Sequence, residues 1–244
     1  MKFRHKLAKF VNGEGIASVA RHVRQLRLRR PLEGEVARLK RTIELTRFDE
    51  IRREFEVPDP GDTPQKYVQL DHWLRINLVR ARELDLDRGK PLRILDLGCG
   101  AGYFLYIAQQ YGHDVLGLDI DRLRLFAEMT RFLKVPRVIW QIDAFVPLPE
   151  FDWKFDLITA HMICFNGHNT RQLWGVPEWQ FFLDDVATRL TRGGRLHLSL
   201  NHERDGSLYT PALKQFFFER GASIHTERVV FHPLLAASRS AVPA

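Results

Sequence analysis

Cysteine is scarce in this chain. Cys99 and Cys164 are the only two in 244 residues, which excludes a disulfide framework and a CxxC metal knuckle and points to a reducing compartment, the cytoplasm by expectation. Long apolar runs are also missing. None approaches the roughly 18–20 residues that a membrane-spanning helix needs, so the chain is not expected to cross a bilayer. Arg4, Lys6 and Lys9 interrupt the start, where a secretory signal would carry its apolar core. No His, Cys or carboxylate cluster has ligand spacing, and Asp184-Asp185 read as a solvated helix face, so no metal is expected. Acid, finally, is nearly absent from the first thirty residues, where nine Lys or Arg face Glu14 alone. The rest of the chain sums to −1, so the net charge of +7 belongs to this N-terminal stretch and the body is near neutral.

What remains suffices for one large domain with an appendage. Apolar residues at three- and four-residue spacing predict helix from about Phe3 to Phe48, broken at Asn12-Gly13-Glu14-Gly15 and near Pro31. Pro58-Asp59-Pro60-Gly61-Asp62 marks a linker, and a further helix is expected over 65–86 with Tyr67, Leu70, Trp73, Leu74, Leu78 and Ala81 toward the core. Short apolar runs then alternate with amphipathic stretches: strands are expected at 93–97, 115–119, 137–142, 155–160 and 194–200, with two more near 222–226 and 228–232. Gly193-Gly194 is read as the stop of the helix that precedes the fifth strand. The expectation is an α/β fold, a doubly wound, mainly parallel seven-stranded sheet with an N-terminal helical extension. Its parts are a basic arm over 1–57, a linker and cap helix over 58–90, and the main domain over 91–244.

The chemistry concentrates where Leu92-Arg93-Ile94-Leu95-Asp96-Leu97 runs into Gly98-Cys99-Gly100-Ala101-Gly102 and a helix start. A strand, a glycine turn and a helix N-terminus let a ligand approach backbone N–H donors closely. The run lacks the last glycine of the dinucleotide fingerprint, and Asp96 stands directly before the glycines, which suits a cofactor carrying an amino acid rather than a pyrophosphate. Asp119 ends the second strand, where an acid can accept hydrogen bonds from ribose hydroxyls, and Asp143-Ala144 follows the third.

Asp96-Leu97-Gly98-Cys99-Gly100-Ala101-Gly102 resembles motif I of the class I S-adenosylmethionine-dependent methyltransferases, and the likeness runs from about Pro91 to His202. The resemblance implies S-adenosylmethionine as cofactor. It places the methionine end on Asp96, Gly98, Gly100 and Gly102, the ribose on Asp119, and adenine against Ile120, Asp143 and Ala144. His161, at the end of Phe155-Asp156-Leu157-Ile158-Thr159-Ala160-His161, lines the cofactor in this reading. Within the superfamily the pattern is most similar to ubiquinone-type and related small-molecule O-methyltransferases. Their helix ahead of motif I implies Arg80 as partner of the cofactor carboxylate. Where those enzymes carry Glu-His after the fourth strand, this chain has Cys164-Phe165-Asn166-Gly167-His168, so their acceptor chemistry does not transfer.

Removing a proton from a hydroxyl acceptor suits histidine. The candidates are His161, His168 and His202. His168 is favoured because the polar run Asn166-Gly167-His168-Asn169 interrupts an apolar stretch, while a hydrogen-bonded structural histidine is the competing account for each. Trp174 and Trp179 are read as a possible roof over an apolar acceptor, with core as the alternative and Trp179 assigned to it. The expected function is methyl transfer to a hydroxyl or amine of a small molecule, lipid or sugar. RNA methylation, suggested by Arg21, Arg24, Arg27, Arg29 and Arg30, and non-catalytic cofactor binding are the alternatives. Phe3, Leu7, Phe10 and Val11 form an apolar stripe beside Lys2, Arg4, Lys6 and Lys9, which makes residues 1–30 a candidate contact with an anionic membrane surface, the inner face of a membrane.

Overall fold

The computed structural model describes residues 28, 30–55, 64–163, 165, 173–203 and 205–234. Most of the basic arm, the Pro58–Asp62 linker and His168 lie outside the described residues.

Helices α1 (Glu33–Arg41) and α2 (Leu45–Phe55) lead through a 3-10 turn (Pro64–Val68) into α3 (Leu70–Glu83). Then come β1 (Arg93–Leu97), α4 (Tyr103–Gln110), β2 (Asp114–Asp119), α5 (Arg124–Phe132), β3 (Arg137–Ile139) and β4 (Phe155–Ile163). The chain continues through α6 (Val176–Arg189), β5 (Leu190–Leu200), α7 (Pro211–Glu219), β6 (Ala222–His225) and β7 (Arg228–Phe231). The seven strands form one sheet in the order β3-β2-β1-β4-β5-β7-β6. The first five run parallel, and β7 pairs antiparallel with both β5 and β6. This is the doubly wound α/β architecture the sequence predicts. Its central strands are apolar on both faces because helices cover both. Leu74, Leu78, Phe104 and Ile107 belong to one core cluster, and Ile158, Trp179, Leu183, Leu198 and Phe217 to another.

β4 runs on to Ile163 where 160 was expected, and the elements differ from expectation in four further places. Residues 33–55, read as part of a basic arm, bury Val36, Leu39, Ile43, Phe48 and Ile51 in the same cluster as Leu74 and Ile107. The helix expected over 65–86 starts as the 3-10 turn and becomes α-helical at Leu70. β3 stops at Ile139, not 142, because β2 ends at Asp119: Trp140 N–H donates to the Asp119 carbonyl at 3.0 Å, and beyond it the neighbouring strand offers no ladder. Gly193-Gly194 does not end α6, which closes at Arg189, but sits inside β5 at a register shift against β4. There Gly193 takes φ +86°, and a Cβ on Gly194 would lie 3.0 Å from the Phe155 carbonyl.

β1 leads on to β2 and β3 on one side, while β4 and β5 build on the other. The sheet's order therefore reverses between β1 and β4, and the crevice outside their carboxyl ends is where open α/β sheets bind ligands.

Candidate functional site

β1 delivers Asp96 and Leu97 to that crevice, and the glycine turn crosses its floor. Gly98 N–H (2.7 Å) and Cys99 N–H (3.1 Å) both donate to the Leu118 carbonyl on β2, which ties the turn to the neighbouring strand. Gly98 takes φ +69°, and a Cβ there would lie 3.0 Å from Ile163 Cδ1. Gly102, at φ +79°, caps α4, and its Cβ would lie 3.1 Å from Thr130 Cγ2. Both positions thus need glycine for backbone conformation and for space. Ile163 reaches Gly98 because β4 bulges between His161 and Ile163, with Met162 at φ +61°.

The turn opens into a cleft of 560 Å³, within the range of small-molecule and cofactor sites. Asp96, 3% exposed, accepts a hydrogen bond from Thr159 Oγ1 at 2.6 Å. Burial raises its pKa to about 7, against the pull of that hydrogen bond and of Arg80. Asp119 accepts from Gly100 N–H at 2.6 Å, and burial again raises its pKa, opposed by the N–H groups of Gly100 and Ile120. Arg80, on α3, donates to Asn77 Oδ1 at 3.0 Å, and Asn77 donates in turn to the Trp73 carbonyl at 2.9 Å. The wall that the 3-10 turn forms with α3 and α5 is aromatic. Tyr67 stacks on Trp73 (centroids 4.9 Å apart, planes at 23°) and meets Phe126 edge-on at 4.9 Å.

Seven of the residues named from sequence line this one cleft: Arg80, Asp96, Gly98, Gly100, Gly102, Asp119 and His161. Three others do not. Ile120, Asp143 and Ala144 are exposed outside its lining, and the Asp143 carboxylate accepts from Gln141 Nε2 at 2.9 Å, because β3 ends before the position that would have carried Asp143 to the sheet edge. His161 lines the cleft but is poorly placed as a base. Both ring nitrogens are shielded from solvent and lack a hydrogen-bond partner among the described residues, and the ring meets Phe104 edge-on at 4.6 Å. Burial, then Arg80, His197 and Arg228, holds its pKa well below the ordinary histidine value, so the ring is neutral. His202 lies on the rim of a second, narrower pocket with Trp174 and Trp179; the two cavities share Ile163 and Asn201. Trp179 is buried in the core, as expected, and Trp174 packs edge-on against it at 5.6 Å.

Sequence reading missed the aromatic wall. Tyr67 and Trp73 were assigned to the core by their helical spacing, Tyr103 was read as the start of the helix after the glycine turn, and Phe126 was not singled out. No local pattern joins them in the sequence, since Tyr67 and Trp73 precede the glycine turn by more than twenty residues and Tyr103 and Phe126 follow it.

A family profile described as a methyltransferase domain matches residues 94–194, from β1 to the bulge of β5. An 18S rRNA (guanine-N(7))-methyltransferase from Mus musculus is 28% identical over 152 residues. That match takes in 59% of this chain, and the chain spans about half of the relative's length, 53%. Among solved structures, an amino pentose methyltransferase from Micromonospora echinaspora is similar at 22% identity and TM-score 0.39, over 52% of this chain and 50% of that one. A ribosomal protein methylase from Lactobacillus delbrueckii subsp. bulgaricus is similar at 19% identity and TM-score 0.42, over 70% and 80%.

Proposed function

We propose that this chain, whose residues 94–194 match a methyltransferase domain, is a class I S-adenosylmethionine-dependent methyltransferase that transfers a methyl group to a hydroxyl or amine of a small molecule, lipid or sugar. The observation that carries this reading is the convergence of Asp96, the glycine turn, Asp119 and Arg80 on one cleft. The donor set fits the cofactor. Asp96 and Arg80 supply opposite charges for the ammonium and carboxylate of an amino acid, Gly98, Gly100 and Gly102 bring bare backbone to the cleft, and Asp119 offers carboxylate oxygen to ribose hydroxyls. When bound, the cofactor supplies a methyl group on a sulfonium, an electrophile that needs little activation.

The protein's part is then orientation, exclusion of water and, for a hydroxyl acceptor, removal of a proton. The narrower pocket is the acceptor's side of the site in this reading. Phe165, Trp174, Leu200, Leu208 and Leu213 give it apolar walls, and His202 and Glu203 stand on its rim. With His161 neutral and shielded, the base role falls to His202 or His168. His202→Ala and His168→Ala, made separately, test this: the base should lose about 10²–10⁴-fold in turnover with cofactor affinity held. Wild-type turnover in both would leave deprotonation to solvent.

A second reading, RNA methylation, draws on the mouse relative and the nine cations of the first thirty residues. Supplying isotopically labelled cofactor with the RNA and small-molecule fractions of an extract separates the two, since label entering RNA alone would replace the first. The amphipathic, cationic residues 1–30 would dock the enzyme on an anionic membrane surface and bring the site to an apolar acceptor. Full-length protein that fails to sediment with anionic vesicles at low salt would remove that role.

A further inference from the structure

The 3-10 turn Pro64–Val68 supplies Lys66 and Tyr67 to the cofactor cleft, yet five residues of 3-10 helix have little capacity to hold themselves in place. Two aromatic side chains hold it from outside. Trp73 Nε1 donates to the Lys66 carbonyl at 2.5 Å, and the Tyr103 hydroxyl donates to the Tyr67 carbonyl at 2.8 Å. These carbonyls lie at the end of the turn, and the Lys66 carbonyl also accepts a long bond from Gln69 N–H at 3.4 Å. Tyr103 is 3% exposed, and burial raises its pKa far above neutrality, so the hydroxyl is a permanent donor. Tyr103 is also the first residue of α4, directly after Gly102, so the segment that forms the floor of the cleft anchors its wall as well.

The wall continues from there. Tyr67, pinned through its carbonyl and stacked on Trp73, meets Phe126, and Phe126 is the group that a Cβ on Gly100 would touch, at 3.7 Å. Turn, ring, ring and glycine loop form one contiguous layer, and the bond at Tyr103 closes it into a loop.

We propose that Tyr103 and Trp73 are positioning residues whose hydrogen bonds to the Lys66 and Tyr67 carbonyls fasten the outer wall of the cleft and set how long cofactor and product stay bound. The proposal rests on the reading that this cleft holds S-adenosylmethionine. Neither residue need act on the reacting atoms, because each acts through Tyr67. Weakening either fastening lets the turn lift, and the bound molecule leaves sooner.

Tyr103→Phe keeps the ring and removes the hydroxyl. Dissociation of S-adenosylhomocysteine, followed by stopped-flow fluorescence, should become about threefold to tenfold faster, the span that one lost neutral hydrogen bond gives. Amide exchange at residues 66–68 should quicken in the cofactor-free protein. Trp73→Phe, which retains an aromatic ring for stacking, should do the same. Thr42→Val is the control for a merely structural effect: it removes the 2.5 Å contact with the Tyr106 hydroxyl, in the same helical layer but outside the cleft. It should lower the melting temperature without changing dissociation. Equal dissociation rates in wild type, Tyr103→Phe and Trp73→Phe would overturn the proposal while leaving the cofactor assignment standing, as would an equal acceleration in Thr42→Val. A wild-type protein that binds neither S-adenosylmethionine nor S-adenosylhomocysteine would overturn both.

Discussion

Thr159 donates its hydroxyl hydrogen to Asp96 across the β1–β4 seam, 2.6 Å from oxygen to oxygen, at the floor of the cofactor cleft. The pair has a consequence for pH. Burial holds the Asp96 pKa at about 7, while the cofactor's ammonium prefers the carboxylate. Below pH 7 the free protein carries the proton and must release it on binding. Affinity for S-adenosylmethionine should therefore fall by up to about tenfold per pH unit between pH 7 and pH 5, and level off above 7. Thr159→Val removes the hydrogen bond that favours the carboxylate, so the profile should move to higher pH. Calorimetry in buffers of different ionisation enthalpy reads both effects. A flat affinity from pH 5 to pH 8 would reject the assignment of the ammonium to Asp96.

Gly98 and Ile163 set a second test. Gly98→Ala adds a Cβ 3.0 Å from Ile163 Cδ1 and forces alanine to φ +69°. The backbone component alone costs about 1–2 kcal/mol. The single variant should melt lower and bind the cofactor more weakly. Ile163→Ala in the same chain should recover the steric part and leave the backbone part. Full recovery in the double variant would mean that the positive φ carries no strain.

The glycine turn and Asp119 were legible in the sequence because their geometry is local: a strand, three glycines and a helix start are contiguous, and the sheet edge follows from strand order. The aromatic wall was not. Tyr67 and Trp73 sit at helical spacing and face inward like core residues, and only the packing of α3 and α5 around the 3-10 turn shows that inward here means toward a cleft. Asp143 lies outside the cleft lining for a different reason, since the length of β3 depends on where β2 stops, which a pattern of apolar residues in β3 alone does not encode. The reading of 1–57 as a single arm joined the basic stretch 1–30 to the helical pattern that runs to Phe48 and stops before the linker at 58–62. The burial of Val36, Leu39 and Ile51 shows that the body begins at about residue 33, directly after the basic stretch ends at Arg30.

Arg82 makes that boundary testable. It is 2% exposed and donates to the carbonyls of Arg30 (2.7 Å) and Pro31 (3.3 Å) and to Glu35 Oε1 (2.5 Å), and Glu35 also accepts from the Tyr111 hydroxyl. Glu35→Ala removes a carboxylate partner from a buried guanidinium and should cost about 1.5–3 kcal/mol in urea unfolding, the span for a hydrogen bond to a charged group. Removing residues 1–27 leaves all of these partners in place and should leave the unfolding midpoint within error. A truncation that destabilises as much as Glu35→Ala would place essential packing in the arm.

The most direct test of the central claim is a calorimetric titration of S-adenosylmethionine into the full chain and into Asp119→Ala, with folding checked by circular dichroism. The account predicts one site per chain and a loss of about 1–3 kcal/mol of binding in the variant, the cost of leaving buried ribose hydroxyls without their acceptor. Absence of binding to the full chain, or an unchanged affinity in a folded Asp119→Ala, would contradict it.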